Sequence, residues 1–430
     1  MNASFRMPHP EIISNVSFDY IWSRLADTEE RVCCTRGSDT GWESFITWAP
    51  RERYTTEHAD ADGVKRFVSA EQKHGRRLFG YLSYDFGLTL QGLASRTHND
   101  LRLPEALLYS FDAYIVCRGN EIEIRAADPS SLSAFSATVK EVLSRAPVRK
   151  KNTAGAQDNP EFKPRTSEEA YAQSYERVKK HIIAGDIYQM NLTHRLEGST
   201  KKPARELWSA TWEKNHADFS AYVEGDGFEI LSASPERFIS VSADRRIDTF
   251  PIKGTRPRGA NPAEDERLKN ELINSEKETA ELTMITDLLR NDMGKVCEFG
   301  SVRVVSTSIV RAFASVWHAY SHVTGVCAKG LDSIDALLSM FPGGSVTGCP
   351  KRRAMEIIDE LEPTTRGVYA GSIGYIDADD SADFNIAIRT LTKKGNRVYL
   401  QVGGGIVYDS VEKDEYQETL DKARSFFGIL

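Results

Sequence analysis

The chain has 430 residues, of which 40% are hydrophobic and 27% are charged, a balance ordinary for a soluble globular protein with a large core. The formal net charge of −7 provides no general basic field, so neither nucleic acid nor an anionic membrane is an expected partner. The sequence contains no run of about 18 apolar residues, the length that a membrane-spanning helix needs. Its six cysteines lack C-x-x-C spacing, which indicates reduced thiols in a cytoplasmic protein.

The first part of the chain, residues 1–150, alternates short apolar stretches with turn residues, as in "RLFGYLSYDFG". This pattern predicts strands separated by turns. A polar stretch with prolines and a basic run follows, and it predicts a linker or surface loop over residues 151–166. Sharper patterns begin in the third part, residues 167–430.

That third part opens on a predicted helix, because Thr166 and Glu169 have the spacing of a capping box and Gly185 is a stop signal. The stretches "FEILSASPERFISVSA" and "RRIDTFPIKGT" read as strands. One long helix fits "PAEDERLKNELINSEKETAELTMITDLLRND".

Further along, "SIDALLSMF" predicts a helix, and after a glycine-rich turn "PKRRAMEIIDELEP" predicts another, with Pro350 at its first helical position. Three strand-like stretches and a terminal helix, "EKDEYQETLDKARSFFGIL", complete the chain. Strands occur in groups and helices separately. This order predicts an α+β protein with large antiparallel sheets.

The glycine-rich turn "FPGGSVTGCPKRRA" is a candidate anion site. Gly343, Gly348 and Lys351 approach the spacing of a nucleotide P-loop, but Cys349 and Pro350 intervene, which excludes one. The turn still leads into a helix N-terminus, where free N–H groups attract a carboxylate as well as a phosphate. A plain capped turn is the alternative.

Two further signals are a run of three glycines, Gly403 to Gly405, and two acidic residues, Glu281 and Glu418. The glycines indicate either a bulge or a close approach of the backbone to a ligand. The two carboxylates flank apolar helix stripes and could share a hard cation such as Mg²⁺. For Glu418, a salt bridge to Lys422 at i,i+4 is the simpler interpretation.

Lys253, in "DTFPIKGTRPRG", stands between residues that restrict the backbone on both sides. Its neighbours leave three interpretations open: a surface charge, a phosphate clamp or a nucleophile.

Taken together, the segments "GDIYQMNL", "SASPERFI", "PIKGT", "AELTMITDLLRND", "FPGGSVTGCPKRRAMEIIDELEP", "GSIGY", "IAIRTL", "GGGIV" and "YQETLDKA" resemble the chorismate-utilising enzymes. The likeness is dense from about residue 167 onward and looser over residues 1–150. It implies a single large α+β unit of two orthogonally packed antiparallel sheets, with helices outside and the active site between the sheets.

Two positions separate the reactions of this family. Members that add water to chorismate carry a basic lysine where this chain has Gln189, and a neutral amide cannot deprotonate water. Lys253 matches the lysine of aminodeoxychorismate synthases, where anthranilate synthases carry alanine. The resemblance therefore implies amination of chorismate at C4 through a covalent lysine adduct, for para-aminobenzoate and folate synthesis. Anthranilate synthase component I and a non-catalytic regulatory paralogue are the alternatives.

The resemblance also assigns roles by matching segment. It makes Lys253 the nucleophile, Glu236 the general acid and His318 the residue that orients or assists the leaving hydroxyl. Glu281 and Glu418 match the Mg²⁺ ligands. The positions that match carboxylate-binding groups are Arg389, Lys422, Thr347, Gly348, Gly404 and Gly405.

Departures from the family pattern are Cys349 and Val402, which replace alanines and could narrow the pocket, and "VCCTRGSDTGW", which lacks the Leu-Leu-x-Ser pattern of tryptophan-binding relatives. No G-x-C-x-G segment typical of a glutaminase nucleophile occurs. Ammonia is therefore expected from a separate glutamine amidotransferase subunit.

Overall fold

The computed structural model of the protein describes residues 7–25, 31–37, 42–147, 162–312, 316–424 and 426–429. None of the helices in these ranges is long and apolar enough to cross a membrane. Of the predicted linker over 151–166, residues 151–161 lie outside the described residues. At its other end Lys163–Pro164 forms a short strand.

The described residues form strands β1 to β22. In chain order they are Glu11–Ser14, Cys33–Arg36, Ser44–Thr47, Glu52–Thr56, Arg77–Leu82, Ala106–Phe111, Ala113–Arg118, Glu121–Ala126, Lys163–Pro164, Gln189–Ser199, Phe219–Glu224, Glu229–Ser234, Arg237–Val241, Arg246–Thr249, Ile252–Pro257, Arg303–Ala312, Val316–Val326, Gly348–Cys349, Ser372–Ile376, Ala382–Asn385, Thr390–Lys394 and Arg397–Ile406.

Helices α1 to α11 occupy the ranges between groups of strands. In chain order they are Phe18–Trp22, Ala61–Gln72, Tyr84–Leu90, Pro129–Ser144, Glu168–Ile183, Ala204–Asn215, Pro262–Ile273, Glu276–Met293, Ser333–Met340, Lys351–Leu361 and Glu412–Ala423.

The strands build two large sheets, and every pairing of these strands is antiparallel. The twelve-stranded sheet has the order β1-β8-β7-β3-β2-β11-β12-β21-β22-β10-β18, with β9 beside β10. The ten-stranded sheet has the order β15-β17-β14-β13-β20-β19-β5-β6-β4, with β16 beside β17. Strands from the first part of the chain, β1 to β8, are grouped at one end of each sheet. The α+β prediction of two antiparallel sheets is confirmed.

A layer of aromatic side chains joins the two sheets. Phe45 of β3 meets Phe79 of β5 edge to face, with ring centroids 5.1 Å apart, and Tyr109 and Tyr114 belong to the same buried cluster. Helices cover the outer faces. Residues of α1, α4 and α6 pack on the twelve-stranded sheet, and residues of α2, α9 and α10 belong to the cluster around the ten-stranded sheet. Burial of this kind is the main favourable term in folding.

The predicted single helix over residues 262–292 is wrong, because the chain forms α7 and α8 there. Asn274 is the C-cap of α7, and Ser275 is the N-cap of α8, with its hydroxyl accepting the Glu278 N–H. A Ser-x-x-Glu pattern beginning at Ser275 is a helix start signal that the prediction overlooked.

Two predicted helix starts are displaced by one residue. The N-cap of α5 is Ser167 instead of Thr166, since the Ser167 hydroxyl accepts the Ala170 N–H. Pro350 is the N-cap of α10 instead of its first helical residue. Gly185, with φ of 80°, follows the end of α5 as predicted.

Candidate active site

A cavity of about 530 Å³ lies between strands of both sheets and helices α8 and α11. Residues from β15, β17 and β22 line it, together with two segments where the chain passes from one sheet to the other. Its volume and its mixture of charged and apolar lining suit a small polar ligand. The cavity brings together most of the residues that the sequence singled out.

Glu236 and Arg389 are positioned by the two crossings between sheets. The chain leaves the twelve-stranded sheet at Ser234 and enters the ten-stranded sheet at Arg237, and it returns between β20 and β21. The crossings are held by backbone bonds, because Ile386 N–H donates to the Glu236 carbonyl at 3.0 Å and Ala233 N–H donates to the Arg389 carbonyl at 3.0 Å. The backbone of each residue is therefore tied to the other crossing.

Arg389 is a partly buried cation whose side chain forms no hydrogen bond or ion pair with any described residue. Burial lowers the pKa of its guanidinium below the usual value. Its backbone has a φ of 48°, a left-handed conformation that costs about 1–3 kcal/mol for a residue with a side chain. An arginine in a cavity wall that has a strained backbone and no partner among the described residues indicates a site for an anion. A carboxylate fits best, because its two oxygens can accept two parallel N–H bonds from the guanidinium.

Glu236 is buried, with 5% of its surface exposed. Burial raises the pKa of its carboxyl from 4.5 to about 7, although Ser345, Lys253 and the backbone of Ile252 act in the opposite direction. A carboxyl group of this kind still holds a proton near neutral pH. It can therefore act as a general acid toward a leaving group in the cavity.

Lys253 reaches the cavity through a bulge in β15. Ile252 pairs with Tyr320 and Thr255 with His318, so that Lys253 and Gly254 together face a single residue of β17. Gly254 has a φ of 83°, which suits glycine. The Lys253 ammonium nitrogen lies 3.9 Å from Glu281 Oε2, and 16% of the side chain is exposed. The bulge directs a lysine inward from an edge strand.

His318 lies beside the bulge on β17, with Nδ1 2.8 Å from the Thr255 hydroxyl. Burial lowers the pKa of the imidazole to about 4, with Arg389 acting in the same direction and a contact with the Gly254 backbone opposing both. The ring is therefore neutral at physiological pH. A neutral imidazole can exchange a hydrogen bond with a hydroxyl in the cavity.

Acidic residues of α8 and α11 form the opposite end of the cavity. Burial raises the pKa of Glu281, and repulsion from Glu415 raises it further. Burial also raises the pKa of Glu415, and repulsion from Glu418 acts in the same direction. Burial also acts on Glu418, but Lys422, 2.7 Å away, brings its pKa below the usual value. The predicted salt bridge therefore forms, and Lys422 also donates to the Gly403 carbonyl at 2.9 Å.

These carboxylates fit a hard divalent cation, because oxygen ligands are what Mg²⁺ prefers and positive charge would relieve the repulsion between them. In the ranges that the structure describes, no three His, Cys, Asp or Glu side chains form a metal-holding group. A Mg²⁺ ion held by Glu281 and Glu418 would take its remaining ligands from water or from a bound ligand.

The three consecutive glycines of β22 face in alternate directions, as strand geometry requires. Gly403 and Gly405 line the cavity, and a Cβ on Gly405 would collide with the Gln189 amide and lie 3.4 Å from the Lys253 nitrogen. Gly404 is not among the residues that line the cavity, and a Cβ there would meet Glu415 at 3.0 Å.

The glycine-rich turn reaches the cavity through Ser345 and Val346. Thr347 and Gly348 lie behind this wall, where the Thr347 hydroxyl donates to the Gly343 carbonyl and Gly348 pairs with Met190. Cys349 is also absent from the lining, whereas Val402 lines the cavity as the sequence suggested.

Several residues that line the cavity were not predicted from the sequence: Asn191, Ser345, Tyr369, Gln401 and Glu415. Glu415 was detectable, because it stands one turn before Glu418 on the same helix face. Gln401 follows from strand alternation two residues before Gly403.

Comparison with known proteins relates this architecture to a family. The model of the family described as chorismate binding enzyme matches residues 20–428. Anthranilate synthase component 1 of Cereibacter sphaeroides is 38% identical, covering 81% of this chain and 72% of its own length. Aminodeoxychorismate synthase component 1 of Bacillus subtilis is 36% identical, covering 80% and 74%.

Among solved structures, the crystal structure of anthranilate synthase component I from Streptococcus pneumoniae superimposes with a TM-score of 0.75 at 27% identity. The match covers 98% of this chain and 92% of that one. Sequence and fold therefore agree over almost the whole length. The chain belongs to the chorismate-binding enzyme family.

Proposed function

We propose that the protein is component I of an aminodeoxychorismate synthase and replaces the C4 hydroxyl of chorismate with an amino group from ammonia. The observation that carries the proposal is Lys253, which a bulge directs into the cavity beside Gln189 and Gly405. A lysine at this place offers a nucleophile, and the neutral amide of Gln189 offers no base for water.

Two displacements account for the reaction. In the first, the neutral amine of Lys253 bonds to ring carbon C2, the ring double bonds shift, and the C4–O bond breaks. Glu236 gives its proton to the departing hydroxyl, which leaves as water. His318 accepts or donates a hydrogen bond at the same oxygen.

In the second displacement, ammonia bonds to C4, the double bonds shift back, and the C2–N bond to Lys253 breaks. The proton released by the new amine returns to Glu236. Because two allylic displacements follow each other, the configuration at C4 is retained, and one difficult step is divided into two. The net change is chorismate plus ammonia to 4-amino-4-deoxychorismate plus water.

The remaining charged residues would bind the substrate. Arg389, whose guanidinium has no partner among the described residues, would bind one carboxylate of chorismate, and Lys422 also lines the cavity. We propose that Glu281 and Glu418 hold Mg²⁺, whose positive charge would neutralise the ring carboxylate.

The proposal extends to partners and pathway. The designation of the relatives as component 1 refers to one part of a larger synthase, and we propose that a separate glutamine amidotransferase subunit supplies ammonia here. The reaction would serve cytoplasmic synthesis of para-aminobenzoate and folate.

Anthranilate synthesis is the second candidate, because relatives of similar identity carry that name. The test is mass spectrometry of the products from chorismate, ammonium and Mg²⁺. The proposal expects a product that keeps the enolpyruvyl side chain and carries nitrogen at C4. Anthranilate with pyruvate would establish the second candidate, and chorismate binding without turnover would indicate a regulatory paralogue.

A further inference from the structure

A buried ion pair lies behind one wall of the cavity, between Glu362 and Arg366. Their side chains are only 2% and 1% exposed. Arg366 Nε donates to Glu362 Oε2 at 2.8 Å, and Arg366 Nη2 donates to Oε1 at 2.6 Å. Glu362 is the C-cap of α10, and Arg366 precedes β19. Two parallel bonds of this kind fix the orientation of the guanidinium plane.

The remaining donors of Arg366 reach two separate segments of the cavity wall. Nη1 donates to the Val346 carbonyl at 2.9 Å, and Nη2 also donates to the Asn191 carbonyl at 2.7 Å. The Asn191 amide donates to the same Val346 carbonyl at 3.2 Å. Since Val346 and Asn191 both line the cavity, the guanidinium ties this part of the glycine-rich turn to strand β10, next to the backbone pairing of Gly348 with Met190.

The carboxylate of the pair reaches β10 at Thr193 and, through the Thr193 hydroxyl, a third segment. Glu362 Oε1 accepts the Thr193 N–H at 3.1 Å and the Thr193 hydroxyl at 2.8 Å. The same hydroxyl accepts the side-chain N–H of Gln401 at 2.7 Å, and Gln401 lines the cavity from β22. The network therefore ends on three wall residues from three different elements.

We propose that the Glu362–Arg366 pair is a positioning unit for the chorismate reaction, which holds Asn191, Val346 and Gln401 at the spacing that the bound substrate requires. Neither member of the pair lines the cavity, so both act through these three residues. The inference rests on the proposed function only in taking this cavity as the place where chorismate reacts. It applies equally to amination at C4 and to anthranilate synthesis.

The alternative is that the pair only stabilises the fold. A buried ion pair is weak evidence for stability, because replacement of both partners by uncharged residues is often neutral while removal of one partner is severe. The double variant Glu362→Gln/Arg366→Met therefore separates the two roles. The amide oxygen introduced by Glu362→Gln can still accept from Thr193, but the bonds to the Val346 and Asn191 carbonyls are lost.

The matched control is Glu43→Gln/Asp377→Asn/Arg77→Met. Arg77 is 1% exposed, makes two parallel bonds to Asp377, at 2.6 and 2.7 Å, and also pairs with Glu43 at 2.6 Å. None of these three residues lines the cavity. Unfolding midpoints and kcat/KM for chorismate are measured for the Glu362/Arg366 variant and for this control. Since displacements of about 1 Å can cost about 100-fold in rate, the Glu362/Arg366 variant should lose at least about tenfold in kcat/KM.

The control should keep kcat/KM within about twofold at a similar change in midpoint. Equal losses in the two variants, or an unchanged kcat/KM in the first, would overturn the proposal. If the first variant does not fold, Arg366→Lys keeps the charge but cannot bond both carbonyls, and the same loss is expected.

Turnover by the wild-type protein is measured first, so that failure of the proposed function is recognised separately. Without any turnover, chorismate affinity measured by calorimetry replaces kcat/KM in the same comparison. An affinity unchanged by the Glu362/Arg366 substitutions would then refute the positioning role.

Discussion

Glu236 should lower the free energy of unfolding at every pH at which its buried carboxyl group is charged. Burial raises the pKa of this group from 4.5 to about 7 in the folded state. At about 1.4 kcal/mol per pKa unit, the difference corresponds to about 3 kcal/mol. Glu236→Gln keeps the shape of the side chain and removes the ionisation. The variant should therefore be more stable than the wild type by up to that amount, and it should lose the general acid.

The sign depends on pH. Between about pH 4.5 and pH 7 the folded state holds this proton while the unfolded state has released it, so wild-type stability falls as pH rises through this range. Above pH 7 the full cost is present. Near pH 4 the carboxyl is protonated in both states, and the contribution disappears.

The measurement is urea unfolding of the wild type and Glu236→Gln at about pH 5 and about pH 8, with the exposed Glu57→Gln as control. The stability advantage of Glu236→Gln should be a few tenths of a kcal/mol to about 1 kcal/mol at the lower pH and about 3 kcal/mol at the higher. An advantage that does not grow with pH, or a less stable variant at about pH 8, would refute the reasoning.

Three further outcomes are expected. Lys253→Ala should reduce kcat by orders of magnitude while chorismate binding survives, and the wild type without ammonia should show a mass increase on the Lys253 peptide; near-normal kcat in the variant would exclude a nucleophile. Glu281→Gln and Glu418→Gln should each reduce activity with the fold intact by circular dichroism, and full activity in EDTA would exclude the metal. Gly405→Ala should reduce kcat about 10- to 100-fold, because its methyl group displaces the Gln189 amide, as steady-state kinetics would show.

The sequence predicts which segments are helices and which are strands better than it predicts where each one begins and ends. Apolar periodicity identified the helices and strands, but it does not reveal to which sheet a strand belongs. The stretch "FEILSASPERFISVSA" therefore reads as strand, with no sign that the chain changes sheets at Pro235 and Glu236. "DFNIAIRTLTKKG" conceals a second change of sheet, between β20 and β21, for the same reason.

The residues of the site were predicted to different degrees for different physical reasons. Gly254 beside Lys253 is a local signal, since this bulge places residue 254 at a φ of 83°, which glycine adopts without strain. Arg389 has no local signal, because its importance comes from having no partner among the described residues of the folded protein. Thr347 and Gly404 match the family pattern but lie off the cavity wall, as chain direction and strand alternation decide which neighbour faces inward.

Because α11 is the last helix of the described residues, its position determines when during translation the active site can be completed. The helix contributes Glu415, Glu418 and Lys422 to the cavity, and the preceding strand β22 pairs with β10 along its whole length. A nascent chain that lacks these two elements keeps Glu281 of α8 but has neither Glu415 and Glu418 nor the glycine surface opposite Lys253. Translation must therefore pass α11 before chorismate meets a complete site.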